Sequence, residues 1–327
     1  MSNKAFVVNK LEDKFTSGVM ELDIPTIEDK EVLIKVSYSS VNFKDALSSI
    51  GNPGVTRKFP HVTGIDAVGT IEQSNSKHFS KGDEVLVTGY DMGMNSDGGH
   101  QEYLKVPEAW VLKKPTSISD KDIMIYGTAG LTAGLSVNEL LANGIDANSG
   151  EILVTGATGG VGSIAISILS KLGFKVVAIS GKEDKIDFLQ ELGASEVILR
   201  KDFDIENKKP MMKTRFAGLV DTVGGNILAE ALKTLNYDGV ATCCGLSSSF
   251  SLNTNVFPFI LRGIRLIGID SVECKIEKKL AVWEKFEDEF KIDTLQNITN
   301  EISLYDLPQA FEALLDAKAT GRYVVKI

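Results

Sequence analysis

A glycine-rich turn between a strand-like and a helix-like segment constrains the fold of this chain more than any other feature. The apolar run Ile152–Thr155 leads into four glycines between Gly156 and Gly162, and the apolar stretch Ser163–Leu172 follows. Glycine lets the backbone turn tightly and approach a pyrophosphate, whose charge backbone N–H groups and a helix N-terminal dipole can balance. The turn therefore predicts a dinucleotide site at the carboxyl end of a strand. The alternative is a glycine turn that binds no ligand.

The chain after Gly150 alternates short β-rich runs with helix-length segments, which is typical of a parallel sheet built from βαβ units. Between the second and third runs, Ile186, Leu189 and Leu192 recur at helical spacing, and a glycine follows where such a helix would end. Six strands make a complete doubly wound sheet, so we predict an α/β fold. The predicted strands are Ile152–Thr155, Val176–Ser180, Glu196–Leu199, Leu219–Asp221, Val240–Cys243 and Leu266–Ile269.

The end of the second predicted strand indicates which dinucleotide would bind. Proteins that prefer NAD carry Asp or Glu there to bind the ribose 2′-hydroxyl, whereas this chain has Ser180-Gly181-Lys182. A hydroxyl, a glycine and an ammonium suit the 2′-phosphate of NADP, which a carboxylate would repel. We therefore predict a preference for NADPH, with Arg200 after the third strand as a second cation. In the alternative interpretation both cations are solvated surface charges, like the acidic residues that follow Lys182.

The first part of the chain differs from the part after Gly150 in its pattern of predicted secondary structure. Between about residues 4 and 115, short β-rich runs broken by turn residues predict a mostly β domain. Nearer the C-terminus the sequence predicts a helix over 277–290, a helix around Leu314 and a strand Arg322–Ile327 that can complete the first domain. The expected domain ranges are 1–124 with 269–327 for the β-rich domain and 125–268 for the nucleotide-binding domain.

Composition argues against several classes of partner. The 35 Lys and Arg residues against 44 Asp and Glu give a net charge of −9, which disfavours nucleic acid and anionic membranes. The three cysteines have no C-x-x-C spacing, so neither a disulfide framework nor a zinc ribbon is supported. Charge at Lys4 and Lys10 interrupts the N-terminus before a signal-peptide core can form, and we expect a cytoplasmic protein.

Three other catalytic chemistries lack their residues. A catalytic zinc takes three protein ligands, yet no cysteine precedes residue 243 and His61, His78 and His100 have no ligand spacing. A P-loop needs Lys and Ser or Thr after its last glycine, and a serine hydrolase needs a G-x-S-x-G elbow; neither pattern occurs at Gly162. Hydride transfer requires no protein nucleophile, because a nicotinamide cofactor supplies the chemistry. We therefore predict an oxidoreductase that uses no metal.

Several motifs, in this order along the chain, carry a resemblance to a known family. They are the segments Val41–Leu47, Val62–Thr70, Asp97–Gly99, Gly127–Ala133, Pro258–Gly263 and Gly268–Val272. With them the chain resembles the medium-chain dehydrogenase/reductase superfamily, in its zinc-independent, quinone-oxidoreductase-like division. Within that division it is most similar to the acrylyl-CoA reductase branch, the AcuI/YhdH group. The resemblance covers essentially the whole chain.

The resemblance implies a GroES-like β-rich catalytic domain, a Rossmann domain and a cytosolic homodimer. It also implies NADPH-dependent reduction of the C2–C3 double bond of acryloyl-CoA to propionyl-CoA. In zinc-dependent relatives a cysteine ligand would stand near Asn42 and a histidine near Ile65, so their replacement here fits the metal-free division. The nucleotide contacts implied are Thr158, Gly159, Gly160 and Val161 at the pyrophosphate, Ser180, Gly181, Lys182 and Arg200 at the adenosine phosphate, and Phe43, Thr132, Leu246 and Arg322 as lining residues.

Asn42 and Asp45 are the predicted catalytic residues. Hydride addition to the β-carbon of an enoyl thioester produces an enolate, which a hydrogen-bond donor near the thioester oxygen would stabilise. Asn42 is the best polar candidate for that donor, with Asp45 holding the Asn42 loop or acting further out. The alternative is that both residues only satisfy backbone groups in a tight turn. Phe43 stands where the branch commonly has tyrosine, so no tyrosine is assigned as an acid.

Three functions stay open from the sequence. The first is reduction of a short enoyl-CoA, the second is reduction of quinones or small enones with the same cofactor, and the third is a non-catalytic NADPH-binding role. A quinone needs an apolar slot, whereas a CoA thioester needs a pocket for its anionic tail. The candidate partners for that tail are Arg57, Lys58, Arg262 and Arg265.

Overall fold

The computed structural model describes residues 2–12, 14–203 and 209–327. The chain divides into two compact units. Unit 1 contains Met1–Thr128, Val272–Trp283 and Leu295–Ile327, and unit 2 contains Ala129–Ser271 and Glu284–Thr294. These ranges differ from the expected domains chiefly in Glu284–Thr294, which groups with unit 2 although the expectation placed it in the β-rich domain.

The described residues form sixteen strands and eight α-helices. The strands are β1 (Ser2–Leu11), β2 (Lys14–Asp23), β3 (Glu31–Val41), β4 (His61–Val62), β5 (Asp66–Ser74), β6 (Glu84–Thr88), β7 (Tyr103–Pro107), β8 (Leu112–Lys113), β9 (Glu151–Val154), β10 (Val176–Ser180), β11 (Ala194–Leu199), β12 (Phe216–Asp221), β13 (Leu235–Cys243), β14 (Arg265–Gly268), β15 (Thr299–Ile302) and β16 (Arg322–Lys326). The helices are α1 (Phe43–Ser49), α2 (Asp120–Ala142), α3 (Gly160–Lys171), α4 (Ile186–Glu191), α5 (Gly225–Leu232), α6 (Phe257–Arg262), α7 (Ile276–Lys285) and α8 (Leu307–Leu315).

Unit 1 is built on two sheets. Strand β1 pairs with β2 and β4, and a seven-stranded sheet has the order β15-β16-β3-β5-β6-β8, with β7 also paired to β3. Val32, Ile34 and Val36 of β3 lie in one apolar core, and Leu33 on the other face of the strand is also buried. The C-terminal strand β16 pairs antiparallel with β3, so that Tyr323 lies opposite Val41. This pairing confirms that the last strand of the chain completes the β-rich part.

Unit 2 contains one six-stranded parallel sheet in the order β11-β10-β9-β12-β13-β14. The central strands are buried along Ile152–Val154 and Val176–Ser180, which explains their unbroken apolar sequence. Helix α3 connects β9 to β10, α4 connects β10 to β11, and α5 connects β12 to β13. The strand order is that of a doubly wound sheet, so the predicted α/β class is confirmed.

All six predicted strands of this sheet are present, and the largest difference is at β13. This strand begins at Leu235 rather than Val240. Its pairing with β12 shifts register between Phe216 and Gly218, so the polar stretch 236–239 bulges out of the ladder. Asp238 in that stretch has a left-handed backbone, with φ of 59°. The stretch therefore looks like a turn in the sequence although the strand continues on both sides of it.

Helix α7 ends at Lys285, before the predicted end at residue 290. The side chains of Phe286 and Phe290 are nevertheless fully buried, with ring centroids 6.2 Å apart. The Lys171 ammonium at the end of α3 donates to the carbonyl oxygens of Asp288 and Lys291, at 2.8 and 2.7 Å. These contacts attach the segment after α7 to unit 2, which its helical periodicity did not indicate.

The long uncharged stretch Ile152–Ser170 forms β9, the glycine turn and most of α3. Among the residues that the structure describes, no helix has both the length and the apolar character that a membrane span needs.

Candidate active site

The glycine turn joins β9 to α3 in unit 2. Gly156 has a φ of +58°, and a Cβ atom there would overlap the Thr222 side chain, so only glycine fits. A Cβ atom on Gly162 would lie 2.5 Å from the carbonyl oxygen of Gly156, so this glycine lets α3 pack closely on the turn. Because α3 begins at Gly160, the N–H groups of its first turn have no acceptor within the helix. The predicted residues Thr158–Val161 thus form a backbone cradle suited to an anion.

The carboxyl ends of β10 and β11 form the second part of the site. These strands are parallel neighbours with Ser180 opposite Leu199, so Gly181 and Arg200 emerge side by side. A Cβ atom on Gly181 would lie 3.0 Å from Cζ of Arg200, which means that the guanidinium packs over the glycine backbone. The pocket at this place is lined by Ser180, Gly181, Glu183, Leu199, Arg200 and Lys201.

The charges around this pocket favour an anion. The carboxylate of Glu183 pairs with Lys201, with Nζ 3.0 Å from Oε2. In the described part of the chain, no carboxylate lies within ion-pair distance of Arg200. The backbone N–H of Lys182 donates to Ser180 Oγ at 3.0 Å, and burial lowers the pKa of the Lys182 ammonium. Among its described lining residues the pocket has two cations, Arg200 and Lys201, against the one carboxylate of Glu183, and this positive charge fits the 2′-phosphate of NADP better than a bare ribose.

Two other predicted contacts of unit 2 lie in different environments. Thr132 on α2 is buried, and its Oγ1 donates to Ser271 Oγ at 2.8 Å. Leu246 follows β13 and is 60% exposed. Thr132 therefore holds Ser271, the last residue of the first segment of unit 2. Leu246, in contrast, presents an apolar side chain at the surface of unit 2.

Asp221, at the end of β12, forms hydrogen bonds that hold the residue before the glycine turn. It is fully buried and accepts from Thr155 Oγ1 at 2.6 Å and from the Gly224 N–H at 2.8 Å. Burial raises the pKa of this carboxyl, while both hydrogen bonds oppose that shift. Asp221 holds the residue that leads from β9 into the turn. Sequence reasoning included it only as a strand end and missed this role.

A buried polar cluster surrounds the carboxylate of Asp66 in unit 1. We call it the Asp66 cluster, and its members are Ser40, Asn42, Asp66, Thr128 and Arg322. Asp66 Oδ2 accepts from Ser40 Oγ at 2.6 Å, Asn42 Nδ2 at 2.8 Å and the Thr128 N–H at 2.9 Å. The other oxygen, Oδ1, accepts from Thr128 Oγ1 at 2.5 Å. Four donors around an unexposed carboxyl are the surroundings of a carboxylate, which only accepts.

Arg322, the first residue of β16, is enclosed in the same cluster. Its Nε donates to the carbonyl of Ile125 at 2.9 Å, and its Nη1 donates to the carbonyl of Val41 and to Asn42 Oδ1, both at 3.1 Å. Its Nη2 donates to Ser40 Oγ at 2.8 Å and lies 3.9 Å from Asp66 Oδ2. Burial lowers the pKa of the guanidinium, and the charge of Asp66 opposes this. The hydrogen bonds of Arg322 are thus made inside unit 1, and its role as a cofactor-lining residue stays a prediction.

Asp45 on α1 is fully buried beside this cluster. One oxygen accepts from the N–H groups of Gly64 and Ile65, at 3.1 and 3.0 Å, and the other accepts from the Asn42 N–H at 2.7 Å. Burial raises the pKa of Asp45 to about 7, against the three hydrogen bonds, which favour the charged form. Asp45 therefore holds the backbone before α1 against the backbone before β5.

Asn42 and Phe43 stand at the start of α1. Asn42 is 9% exposed, and its Nδ2 also contacts Ser40 Oγ, at 3.4 Å. Phe43 is 38% exposed. The two predicted catalytic residues thus differ in access, because Asn42 keeps a small exposed fraction and Asp45 keeps none.

The histidines of unit 1, and Ile65 where zinc-dependent relatives have a ligand, show whether a metal could bind there. His100 is buried between Thr63 Oγ1, at 2.8 Å from Nδ1, and the Ser40 carbonyl, at 3.1 Å from Nε2. Burial lowers the pKa of both His61 and His100 to about 4, so both rings are neutral near pH 7. Ile65 offers no ligand atom. Within residues 2–12, 14–203 and 209–327, no group of three or more His, Cys, Asp or Glu is arranged to hold a metal ion.

Sequence reasoning missed Asp66, Gly127 and Thr128 as one site. Gly127 interrupts α2 with φ of 47° and ψ of −151°, and a Cβ atom on it would lie 2.6 Å from Asp66 Oδ2. The kink brings the backbone and hydroxyl of Thr128 to the carboxylate of Asp66. The only sequence signal was that these residues belong to two of the family motifs.

Of the candidate partners for a CoA tail, Arg262 is not available. It is buried, and it donates to the carbonyl oxygens of Lys233, Leu235 and Met212 at 2.8, 3.0 and 2.5 Å. The expectation that it binds substrate is therefore corrected to a structural role. The residues Arg57, Lys58 and Arg265 are exposed.

Two family models match successive parts of the chain. Residues 28–116 match the family model for the alcohol dehydrogenase GroES-like domain, and residues 160–287 match that for the zinc-binding dehydrogenase domain. The chain is 42% identical over 325 residues to YhfP of Bacillus subtilis, named as a quinone oxidoreductase, covering 99% of this chain and 98% of YhfP. It is 37% identical over 325 residues to the acrylyl-CoA reductase AcuI of Ruegeria pomeroyi, covering 99% and 98%.

Solved structures of similar proteins have the same fold. The YhdH oxidoreductase of Salmonella enterica in complex with NADP has a TM-score of 0.96 and 38% identity, over 99% of both chains. E. coli K-12 YhdH with bound NADPH has a TM-score of 0.94 and 39% identity, over 98% of this chain and 99% of that one. Bacillus subtilis YhfP with NAD bound has a TM-score of 0.96 and 42% identity, over the whole of both chains. The chain belongs to the medium-chain dehydrogenase/reductase family, in the branch that contains YhfP, YhdH and the acrylyl-CoA reductases.

Proposed function

We propose that this chain catalyses the NADPH-dependent reduction of the C2–C3 double bond of a short enoyl-CoA thioester, such as acryloyl-CoA to propionyl-CoA. The observation that carries the proposal is the Arg200 guanidinium packed over Gly181, at the strand end where an NAD-binding sheet has a carboxylate. The similarity to an acrylyl-CoA reductase, and to YhdH structures that contain NADP or NADPH, supports the reaction and the cofactor.

Unit 2 would hold the cofactor at the carboxyl edge of its sheet. When bound, NADPH supplies a hydride for the β-carbon of the substrate. In this proposal the backbone N–H groups of Thr158, Gly160 and Val161 bind the pyrophosphate, while the N–H of Gly159 donates to the Gly156 carbonyl at 2.9 Å and holds the turn. Ser180, Lys182 and Arg200 bind the 2′-phosphate, because a guanidinium offers paired N–H donors that match phosphate oxygens. Gly181 has no side chain, so a phosphate can approach its backbone.

The proposed role of unit 1 is to stabilise the negative charge that develops on the thioester oxygen. Asn42 is the candidate donor, because its Nδ2 donates to Asp66 at 2.8 Å and its other contact among the described residues, with Ser40 Oγ, is longer, at 3.4 Å. A donor fixed before the reaction stabilises such charge without reorganisation. Asp45 is a positioning residue in this scheme, since it is fully buried and accepts the N–H of Asn42.

A second candidate function is the reduction of quinones or small enones. It is favoured by the 42% identity to YhfP, which is named as a quinone oxidoreductase and whose structure contains NAD. The two candidates require different acceptors, and the YhfP structure also raises the question of which dinucleotide this chain prefers.

The distinguishing experiment is a set of parallel turnover assays with the purified full-length protein. NADPH and NADH are each offered with acryloyl-CoA, crotonyl-CoA, a benzoquinone and no acceptor, with and without a chelator. We expect the fastest turnover with NADPH and acryloyl-CoA, propionyl-CoA as the product by mass spectrometry, and no effect of the chelator. Turnover with the quinone alone would transfer the assignment to the second candidate. No turnover with any acceptor would favour a non-catalytic NADPH-binding protein.

We also propose that the protein is a cytoplasmic homodimer. Strand β14 is an edge strand of unit 2, and helix α6, which precedes it, exposes apolar side chains. The exposed fractions are 68% for Ile260, 64% for Val256, 53% for Leu261 and 44% for Phe257. An unpaired strand edge and a contiguous apolar segment are features that a second copy would cover. The proposed location rests on the three cysteines, whose spacing supports no disulfide framework.

A further inference from the structure

The charged pair in the Asp66 cluster is not explained by stability. Asp66 is 0% exposed and Arg322 is 3% exposed, so both charges have been taken out of water. Removing charges from water commonly opposes folding by as much as their attraction favours it, and apolar residues of equal volume often stabilise a core as well or better. The presence of such a buried ion pair is better explained by a neighbouring polar group whose orientation the two charges fix.

The group that the pair orients is the carboxamide of Asn42. Arg322 Nη1 donates to Asn42 Oδ1 at 3.1 Å, and Asn42 Nδ2 donates to Asp66 Oδ2 at 2.8 Å. Rotating the carboxamide by half a turn would place its oxygen against the carboxylate and its NH₂ against the guanidinium. Both contacts would be repulsive, so the charges select one orientation of an otherwise nearly symmetric group.

The pair itself is held so that it cannot change partners. Thr128 donates to both oxygens of Asp66, and Ser40 Oγ donates to Asp66 while it accepts from Arg322. Gly127 makes room for this arrangement, because a Cβ atom there would lie 2.6 Å from Asp66 Oδ2 and 3.0 Å from Arg322 Nη2. Asp66 and Arg322 are enclosed, whereas Asn42, at 9%, and Thr128 keep some exposed surface, and the N–H and hydroxyl of Thr128 both donate to Asp66.

We propose that Asp66 and Arg322 are positioning residues that act through Asn42, by fixing its carboxamide with one Nδ2 hydrogen left for the substrate oxygen. The inference rests on the proposed function of Asn42 as the donor to the thioester. It predicts that disturbing either charge lowers turnover only while Asn42 is present.

The test is a double-mutant cycle on turnover, using Asp66→Asn, Asn42→Ala and the combination. With acryloyl-CoA and saturating NADPH, we expect Asp66→Asn to lower kcat at least about tenfold, and to lower it less than about twofold in the Asn42→Ala background. The control is Glu230→Gln in unit 2, which disturbs the buried ion pair between Glu230 and Lys233, whose closest atoms are 2.6 Å apart. It should lower stability and leave kcat unchanged. Equal losses in both backgrounds would overturn the proposal.

A second measurement does not depend on activity. The side-chain amide of Asn42, identified by its disappearance from the NMR spectrum of Asn42→Ala, should exchange its hydrogens slowly in the wild type and in Glu230→Gln. Exchange should become at least about tenfold faster in Asp66→Asn, because one anchor of the carboxamide is lost. If Asp66→Asn does not fold, Ser40→Ala replaces it, since that hydroxyl bonds both charges.

The two measurements separate failure of the inference from failure of the proposed function. Unchanged exchange in a folded Asp66→Asn or Ser40→Ala variant would overturn the positioning role, whatever the enzyme reduces. Faster exchange in a protein that does not reduce enoyl-CoA would retain the positioning role and reject only the proposed reaction.

Discussion

At the scale of single residues, Arg200 is the side chain on which cofactor preference depends most. Replacing it with Ala should weaken NADPH binding about 10- to 100-fold, because charge-assisted hydrogen bonds to the 2′-phosphate contribute about 1.5–3 kcal/mol. NADH lacks that phosphate, so its dissociation constant should change less than about twofold. Titration calorimetry of the variant with both coenzymes measures this directly.

The matched control for Arg200→Ala is Lys175→Ala. Lys175 precedes β10, at the opposite end of the strand from Gly181, and it pairs with Glu151. Its removal deletes the same charge from unit 2 and should leave both dissociation constants unchanged. If Arg200→Ala weakened NADH and NADPH equally, Arg200 would contact a part of the coenzyme that the two share, and the preference would need another explanation.

At the scale of elements, the kink of α2 at Gly127 is a structural requirement of the Asp66 cluster. Gly127→Ala should lower the free energy of unfolding by about 3 kcal/mol, since a positive φ and a close approach to Asp66 and Ser40 both oppose a Cβ atom. Gly144→Ala, just after the same helix, is the control, because Gly144 also has a positive φ, of +86°, but nothing lies within 4 Å of its Cβ position. It should cost only about 1 kcal/mol. If urea unfolding gave equal losses of unfolding free energy for the two variants, steric overlap at Gly127 would not be the cause.

At the scale of the whole molecule, the first prediction concerns assembly. Ile260→Asp should shift sedimentation from dimer to monomer, because it places a charge in the apolar segment that a second copy would cover. Tyr305→Asp is the control, since Tyr305 is equally exposed, at 68%, but lies in unit 1 before α8. A dimer that survives Ile260→Asp at low protein concentration would move the interface away from α6.

The second whole-molecule prediction concerns pH. The pKa values of His61 and His100 are lowered to about 4 in the folded chain, so their contribution to stability is present above about pH 6.5 and is lost as pH falls toward 4. The pKa of Asp45 is raised to about 7, so its contribution acts oppositely and is lost as pH rises from about 4 to 7. Two histidines outweigh one aspartate, and the free energy of unfolding should rise between pH 4 and 6.5.

Urea unfolding at several pH values in that window checks the balance. His100→Gln should make the rise shallower and Asp45→Asn should make it steeper, each by up to about 1.4 kcal/mol per pH unit, which corresponds to one proton. Slopes are the relevant quantity, because both variants also lose hydrogen bonds and are less stable at every pH. Unchanged slopes would mean that these groups titrate alike in the folded and unfolded chain.

The doubly wound sheet, the glycine turn and the cationic end of β10 can be predicted from the amino-acid sequence alone. Those features depend on residues close together in the chain, where periodicity, glycine and the missing carboxylate act locally. Even there, the bulge in β13 shows that a polar run within a strand cannot be told from a turn without its partner strand.

The surroundings of Asn42, by contrast, depend on how distant parts of the chain pack together. Arg322 and Asn42 are 280 residues apart in the chain and meet because β16 pairs with β3. The burial of Arg262 and the attachment of the segment after α7 to unit 2 have the same origin. A side-chain pattern indicates which face of a strand or helix is buried, but the partner of a buried charge depends on which strands become neighbours, and that is settled when the sheets assemble.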